Sequence, residues 1–465
     1  VRQTLVDNEA GAPAIPLVAL RRDQLAGWLA AHPDARPWVD SLGFAAEPGS
    51  LAPLPGPDGR LGRMLAGIAA DDPWALAALP ARLPPGRYRL DPEPSPAAAE
   101  AAALAWRLAD YAFDRYRAAP RPPGPVLVWP ERADRARVRR AAEAIELVRD
   151  LINTPAADLG PAELAAAAES LAARHGASCR SVVGDGLLAE NYPMIHAVGR
   201  AAAAARRPRL IDLRWGDPAA PRVTLVGKGV CFDSGGLDLK PSASMKLMKK
   251  DMGGAAHVLG LAGMIMDAGL KLRLRVLIPA VENAVSGEAM RPLDVLATRQ
   301  GLTVEIGNTD AEGRLILADA LTEAASEDPA LLIDIATLTG AARVALGPDL
   351  PALFCRDDAV AAELLAAGEA AGEPLWRLPL FAPYRRLLDS KVADLASVSD
   401  GPHAGAITAA LFLAEFVPAT VPWLHLDVLA WNGRPRPGRP EGGEALALRA
   451  LFALIAARVA APAHP

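Results

Sequence analysis

Between about residues 210 and 430, short aliphatic runs alternate with stretches long enough to be helices. That rhythm restricts the fold more than any other feature of the chain. The strand-like runs are 210–213, 223–226, 274–278, 331–335 and 424–429, and helical stretches at 253–268, 311–325, 359–372 and 404–416 separate them. Runs that are apolar on both faces predict strands covered by helices on each side. The expected class is α/β, with a largely parallel or mixed central sheet flanked by helices. Before this region, residues 1–117 are broken by Pro and Gly, with helical signals at 22–31 and 97–117. The breaker-rich stretch 120–130 follows, then a long helical pattern at 133–151 that Asn153-Thr154-Pro155 ends. The expected organisation is a small domain over 1–130, a linking helix within 131–155 and a larger domain over 156–465. The alanine tracts 165–168 and 201–205 read as helix surface and packing.

Size and charge remove several function classes. The chain has 465 residues, 51% hydrophobic and 22% charged, which is enough apolar material for a sizeable core and excludes a disordered or disulfide-stapled protein. A net charge of −5 leaves no electrostatic footprint for nucleic acid or an anionic membrane. The basic run 132–140 reads as a solvated helix face. Two apolar stretches, 253–270 and 405–424, are interrupted by His257 and Asp267 and by Glu415, Pro418 and Pro422, so both read as buried helices. The three cysteines are far apart and form no metal-type pair, which fits a reducing cytoplasm. No secretory leader is apparent in the first 25 residues.

Lysine usage points to one region. Arginine replaces lysine almost everywhere, yet five of the seven lysines (Lys228, Lys240, Lys246, Lys249 and Lys250) fall within 23 residues. An ammonium group can lose its proton when buried, whereas a guanidinium effectively cannot. In open α/β sheets, sites form in the loops after strand ends. Three segments in such positions carry unusual polar residues: GKGVCFDSGGLDLK at 227–240, KKDMGGAA at 249–256 and NTDAEGR at 308–314. A phosphate-loop reading of Gly227-Lys228-Gly229 fails, because that cradle needs four residues between its glycines and Ser or Thr after the lysine.

Lys228, Asp233, Asp251, Asp310 and Glu312 suggest a metal centre instead. Four carboxylates converging on one cleft cannot all stay ionised without cations between them. A pair of divalent ions about 3.5–4 Å apart resolves that conflict. Asp310 and Glu312, two residues apart, reach one side if the backbone there is extended. Lys228 would be a ligand only when neutral. Read singly, Asp233 is a turn residue, the Asp-Ala-Glu pair a helix N-terminal acid cluster and Lys228 a solvated loop lysine. His196, His257 and His425 read as packing or hydrogen-bonded histidines, and Cys231 as a buried thiol.

With these segments in hand, the sequence resembles the leucyl (cytosol) aminopeptidase family of two-metal exopeptidases. NTDAEGRL is the family's signature, and GKGVCFDSGG, KKDMGGAA, VENAVSGEAMRPLDV, ATLTGA and AGAITAALFL match in order. The resemblance covers about 145–430 well and the first 130 residues poorly. It implies that Lys228, Asp233, Asp251 and Glu312 hold a tighter metal, and that Asp233, Asp310 and Glu312 hold a more exchangeable one. It further implies that Lys240 polarises the scissile carbonyl, and that Arg314 holds a bicarbonate ion acting as general base. Met248, Thr337, Leu338 and Gly340 stand where the family contacts substrate. Two divalent ions per subunit (Zn or Mn, with Mg or Co as alternatives), peptide substrates, a small N-terminal α/β domain used in assembly, and a homohexamer are the remaining implications. One departure concerns HLDVLAWN at 425–432, where better-known members have HLDIAG; Leu429 would then narrow the side-chain pocket, unless strand register turns it into the core. Two other readings compete: a DNA-binding or regulatory protein that retains the peptidase fold, and a two-metal hydrolase of a non-peptide substrate.

Overall fold

A computed structural model of the chain describes residues 3–9, 12–69, 74–119 and 122–460, so residues 120 and 121 of the breaker stretch lie outside it. The chain divides into two compact units, Val1–Glu146 with Gly433–Glu441, and Leu147–Asn432 with Gly442–Pro465. The helix Arg135–Asn153 begins in the first unit and ends in the second.

The smaller unit is built on a six-stranded sheet in the order Leu5–Val6, Val126–Val128, Arg87–Leu90, Ile15–Leu20, Leu61–Gly67 and Leu51–Pro55. Neighbours are parallel except the final pair. Val18, Leu20, Leu29, Val39, Leu54 and Leu65 form one of its cores. The helix expected over 97–117 spans only Pro96–Ala109. Most side chains from 111 to 117 are exposed, so no apolar stripe remains to hold further turns. The signal at 22–31 splits into a 3-10 turn, Arg22–Gln24, and the helix Leu25–Ala31.

The larger unit carries a nine-stranded mixed sheet flanked by helices. Its centre is four parallel strands in the order Arg273–Asn283, Arg222–Gly227, Leu331–Ala336 and Trp423–Asp427. Antiparallel neighbours close both sides: Arg209–Gly216 and Ser178–Val183 beyond the first, Ala352–Cys355 beyond the last. The short strand Gly229–Asp233 continues past Gly227 and pairs with the end of Arg273–Asn283. The helix Gly253–Asp267 is buried almost all round, which explains why its sequence lacks a polar face.

Two expectations need correction here. The last central strand ends at Asp427, two residues before Leu429, because Asp427 turns its carboxylate onto the backbone of residues 338 and 339. The alanine tract 201–205 is a turn running into a short 3-10 segment, since Gly199 ends the preceding helix. Among the described residues, no helix is long and apolar enough to cross a membrane.

Candidate metal centre and active site

The carboxyl ends of the four central strands converge. Lys228 follows Gly227 directly, Thr337 follows Ala336, and Asn283 and Asp427 are the last residues of their strands. Asp233 ends the short continuing strand. Asp251 lies on the 3-10 turn Met248–Met252 that leads into the helix Gly253–Asp267. The backbone of Lys228 bonds to Ile335 on one side and Ala255 on the other, so strand and helix are locked together at the site.

Asp310 and Glu312 do come together, but not on extended backbone. Asp310 sits on a 3-10 turn, Thr309–Ala311, and Glu312 opens the helix Glu312–Ala325. Asn308 caps this start by accepting the Asp310 N–H at 2.7 Å. The Asp-Ala-Glu segment is therefore a helix N-terminus and part of the acidic cluster at once. One oxygen each of Asp233, Asp310 and Glu312 lies within 4.8 Å of the others.

Two lysines lie among four carboxylates, and a third, Lys250, approaches Asp251 at 3.9 Å. The Lys228 ammonium is 2.7 Å from Asp251 and 2.9 Å from Glu312, and it donates to the Thr337 carbonyl at 3.0 Å. The Lys240 ammonium is 2.8 Å from Asp233 and also contacts Asp310. Gly313 makes the Lys228 position possible, because a Cβ there would come within 2.6 Å of the lysine stem. Asn283 and the Gly235 N–H each donate to Asp233 Oδ1 at 2.8 Å, and the Thr337 hydroxyl donates to Asp251 Oδ1 at 2.7 Å.

Charge is not balanced. Burial, and then the neighbouring Asp233 charge, push the Asp310 carboxyl up to about 6 and hold Glu312 well above the ordinary carboxylate range. Burial opposes the ionised forms of Lys228 and Lys240. The surrounding carboxylates outweigh it, and both amines are held above the usual lysine value. The expected neutral Lys228 is thus not the form this charge set favours by itself; a dication beside it would have to displace the proton. Asp251 Oδ2 and Glu312 Oε1 face the Lys228 ammonium and Asp310 Oδ1 the Lys240 ammonium, so these buried oxygens are met by ion pairs alone. Burial and repulsion among the clustered carboxylates raise Asp310 and Glu312, and a hard cation is the partner this oxygen-rich set fits.

Residues 146–452 match the sequence profile of the "Cytosol aminopeptidase family, catalytic domain", and residues 15–128 that of the "M17 aminopeptidase, N-terminal domain". The chain belongs to the cytosol aminopeptidase family. A probable cytosol aminopeptidase of Roseiflexus castenholzii is 45% identical over 68% of the chain, and Peptidase B of Pectobacterium atrosepticum is 45% identical over 64%. The chain spans 65% of the Roseiflexus protein's length and 70% of the Pectobacterium protein's. The crystal structure of the Coxiella burnetii cytosol aminopeptidase superposes with a TM-score of 0.93 at 48% identity, covering 98% of the chain and 100% of that one. The bottromycin maturation enzyme BotP in complex with Mn superposes at 0.86 and 38% identity, covering 96% of the chain and 100% of BotP.

The remaining family positions are spread around the cluster. Arg314 is 8% exposed and donates through Nη1 to the Ser397 carbonyl at 2.7 Å; its Nε has no partner, and burial draws the guanidinium down to about 10. Met248 and Leu338 are half-buried, Thr337 is buried on Asp251, and Gly340 is exposed at a helix start. Sequence reading passed over Asn283, Thr309 and Asp427, which orient the loops. Each stands at the end of a strand or inside a quoted motif, so its position was the available signal. The histidines match their structural reading. His425 and Trp423 share the buried Asp334, His257 bridges Gly253 and Leu446, and His196 meets Asp185. Cys231 is a buried free thiol.

Proposed function

We propose that the chain is a metal-dependent aminopeptidase that removes N-terminal residues from peptides. The observation that carries this is the convergence of Asp233, Asp310 and Glu312, whose oxygens lie within 4.8 Å of one another, beside Asp251 and the lysines Lys228 and Lys240. Asp233, Asp251, Asp310, Glu312 and Lys228 would hold two divalent ions. Bound there, such ions supply Lewis acidity toward a carbonyl oxygen and acidify water. The chemistry of the donors admits Zn, Mn, Mg or Co, and Mn is present in the BotP structure.

The protein's own groups would do the rest. Lys240, anchored between Asp233 and Asp310, can swing its ammonium toward an oxygen that gains charge as the peptide carbonyl is attacked. Asp233 and Asp310 hold its pKa up in the metal-free site, and the task requires the ammonium form. Arg314 presents an unpartnered N–H inside a buried site and so fits a small anion such as bicarbonate, which would serve as proton acceptor. Met248, Thr337, Leu338 and Gly340 would contact the substrate. Assembly as a homohexamer accompanies this reading, and the family likeness supports it.

The test is turnover of Leu-p-nitroanilide by metal-loaded protein, with metal content measured in parallel. Glu312→Gln should lower kcat/KM by at least about 10³-fold, some 4 kcal/mol of transition-state stabilisation, and reduce bound metal. Near-normal turnover by Glu312→Gln with two ions still bound would refute the assignment. Turnover of a phosphodiester or amide but of no aminoacyl anilide would favour the non-peptide hydrolase.

A further inference from the structure

Away from the carboxylate cluster, the larger unit carries an open pocket of about 560 Å³ whose wall holds three arginines and two acids. Arg200, Arg207 and Arg291 line it, together with His196, Asp185 and Glu288. None of the three arginines forms an ion pair among the described residues, although many of their neighbours do: Arg206 pairs with Glu282 and Arg180 with Glu190. Arg200 is braced by donating Nε to the Glu288 carbonyl at 2.8 Å, and Arg291 by a weaker bond to the Gly287 carbonyl at 3.3 Å. Both braces use backbone oxygens, so neither guanidinium is tied up in an ion pair and the other N–H groups remain available. Arg207 is exposed and has no hydrogen-bond partner among the described residues.

The rest of the wall suits a ligand that comes close. Gly184, Gly199 and Gly287 contribute bare backbone, and Ala202 and Ala204 contribute single methyl groups. A volume of this size matches ordinary small-molecule sites. Three separate guanidinium groups suit the three terminal oxygens of a phosphate better than the two of a carboxylate. Asp185, already held by His196 at 3.2 Å, and Glu288 sit in the same wall and would repel a molecule with negative charge spread along it. They would accept hydrogen bonds from hydroxyl groups.

We infer that this cavity is a binding site for a small phosphorylated, hydroxyl-bearing molecule, separate from the metal cluster. Phosphate oxygens take the N–H groups of Arg200, Arg207 and Arg291, and hydroxyls face Asp185 and Glu288. A structural link to the cluster exists along the chain. The wall segment 287–291 begins four residues after Asn283, which holds Asp233 at 2.8 Å and the Thr309 carbonyl at 3.1 Å. The inference does not depend on the proposed peptidase activity.

Isothermal titration of the full metal-loaded chain tests it with three probes: ribose 5-phosphate, inorganic phosphate and ribose. The expected result is saturable binding of ribose 5-phosphate at one site per chain, weaker binding of inorganic phosphate, and none of ribose. Arg207→Gln should weaken ribose 5-phosphate about tenfold, the loss of one charge-assisted hydrogen bond. Since Arg207 supports nothing else, that variant should keep its melting temperature. Asp310→Asn should bind ribose 5-phosphate as the unsubstituted chain does. Absence of saturable binding overturns the inference, as does undiminished binding in both Arg207→Gln and Arg291→Gln. Equal loss in Asp310→Asn would move the phosphate to the metal cluster and overturn it too.

Discussion

Around Arg275, the carboxylates Asp212, Glu323 and Glu327 are shared by four arginines; around Lys228 and Lys240, four carboxylates are shared by those two ammonium groups and, at 3.9 Å from Asp251, Lys250. Both clusters are largely buried and belong to the same unit. Arg275 donates to Asp212 at 3.1 and 2.9 Å, to Glu323 at 2.6 Å and to Glu327 at 3.1 Å. Arg214, Arg273 and Arg299 supply the remaining charge, and no oxygen of the three carboxylates is left without a partner. In the other cluster the carboxylates outnumber the cations, and burial with mutual repulsion raises Asp310 and Glu312. The difference teaches that buried charge by itself does not mark a site. A closed network spends its groups on one another and holds the fold, whereas a network left short of cations has lone pairs to offer.

The strongest way to break this contrast is to remove a charge from each cluster. Arg275→Met should destabilise the chain by about 3–5 kcal/mol, because it strands buried carboxylates. Metal content per folded chain should not change. Asp310→Asn in metal-free protein should leave the melting temperature unchanged or raise it, since it relieves repulsion from Asp233. Comparable losses of stability in the two variants would erase the distinction.

Within the open cluster the two lysines should separate. Lys228→Ala should lose bound metal. Lys240→Ala should keep it and lose about 10²–10³ in kcat, as expected for one donor to a developing oxyanion. Equal metal content in both variants would show that the division of roles is wrong.

His257 extends the contrast to a group satisfied only when uncharged. Its Nδ1 lies 2.6 Å from the Gly253 carbonyl, and its Nε2 accepts the Leu446 N–H at 2.9 Å. That pairing needs the neutral ring, and burial draws the pKa down from 6.5 to about 4. The unfolded chain therefore takes up a proton that the folded chain refuses. Stability from this group is complete above about pH 7 and falls as pH drops from 6.5 to 4, by about 3 kcal/mol in all. Urea denaturation at pH 7.5 and 4.5 should show the decline, and His257→Gln should flatten it. An equal pH slope in that variant would assign the decline to other groups.

The strands and helices of the larger unit were legible because their apolar runs are long and uninterrupted: four of the five runs fall on the central strands and the fifth, 210–213, on the antiparallel Arg209–Gly216. What was not legible came from tertiary contacts. The helix 97–117 lost its last turns where side chains face water, and the extended backbone imagined at Asp310 gave way to a capped helix start. The approach of Asp251 to Glu312 across Lys228 spans 61 residues of sequence, and only the motif pattern pointed to it. The cavity around Arg207 left no sequence signal, because arginines drawn from residues 200 to 291 become neighbours only through folding.

The smallest effect concerns the wall of the open cluster. Trp423–Asp427 ends before Leu429, which is half-buried, between the buried Val428 and the buried Ala430. Ala430 takes a positive φ of 58° and packs so closely on Gly253 that a Cβ there would lie 2.5 Å from its methyl group. Gly253 is two residues from Asp251, so the Leu429 segment runs beside the carboxylates without joining the sheet. We propose that Leu429 edges the substrate pocket, where it would disfavour large N-terminal side chains. Leu429→Ala should therefore raise kcat/KM for Leu and Phe anilides relative to Ala anilide by about 10-fold, near the lower end of what a methylene-sized misfit is worth. If the three ratios stay unchanged while the melting temperature falls, Leu429 serves the packing of the 428–430 turn, and the open cluster has no selectivity wall on that side.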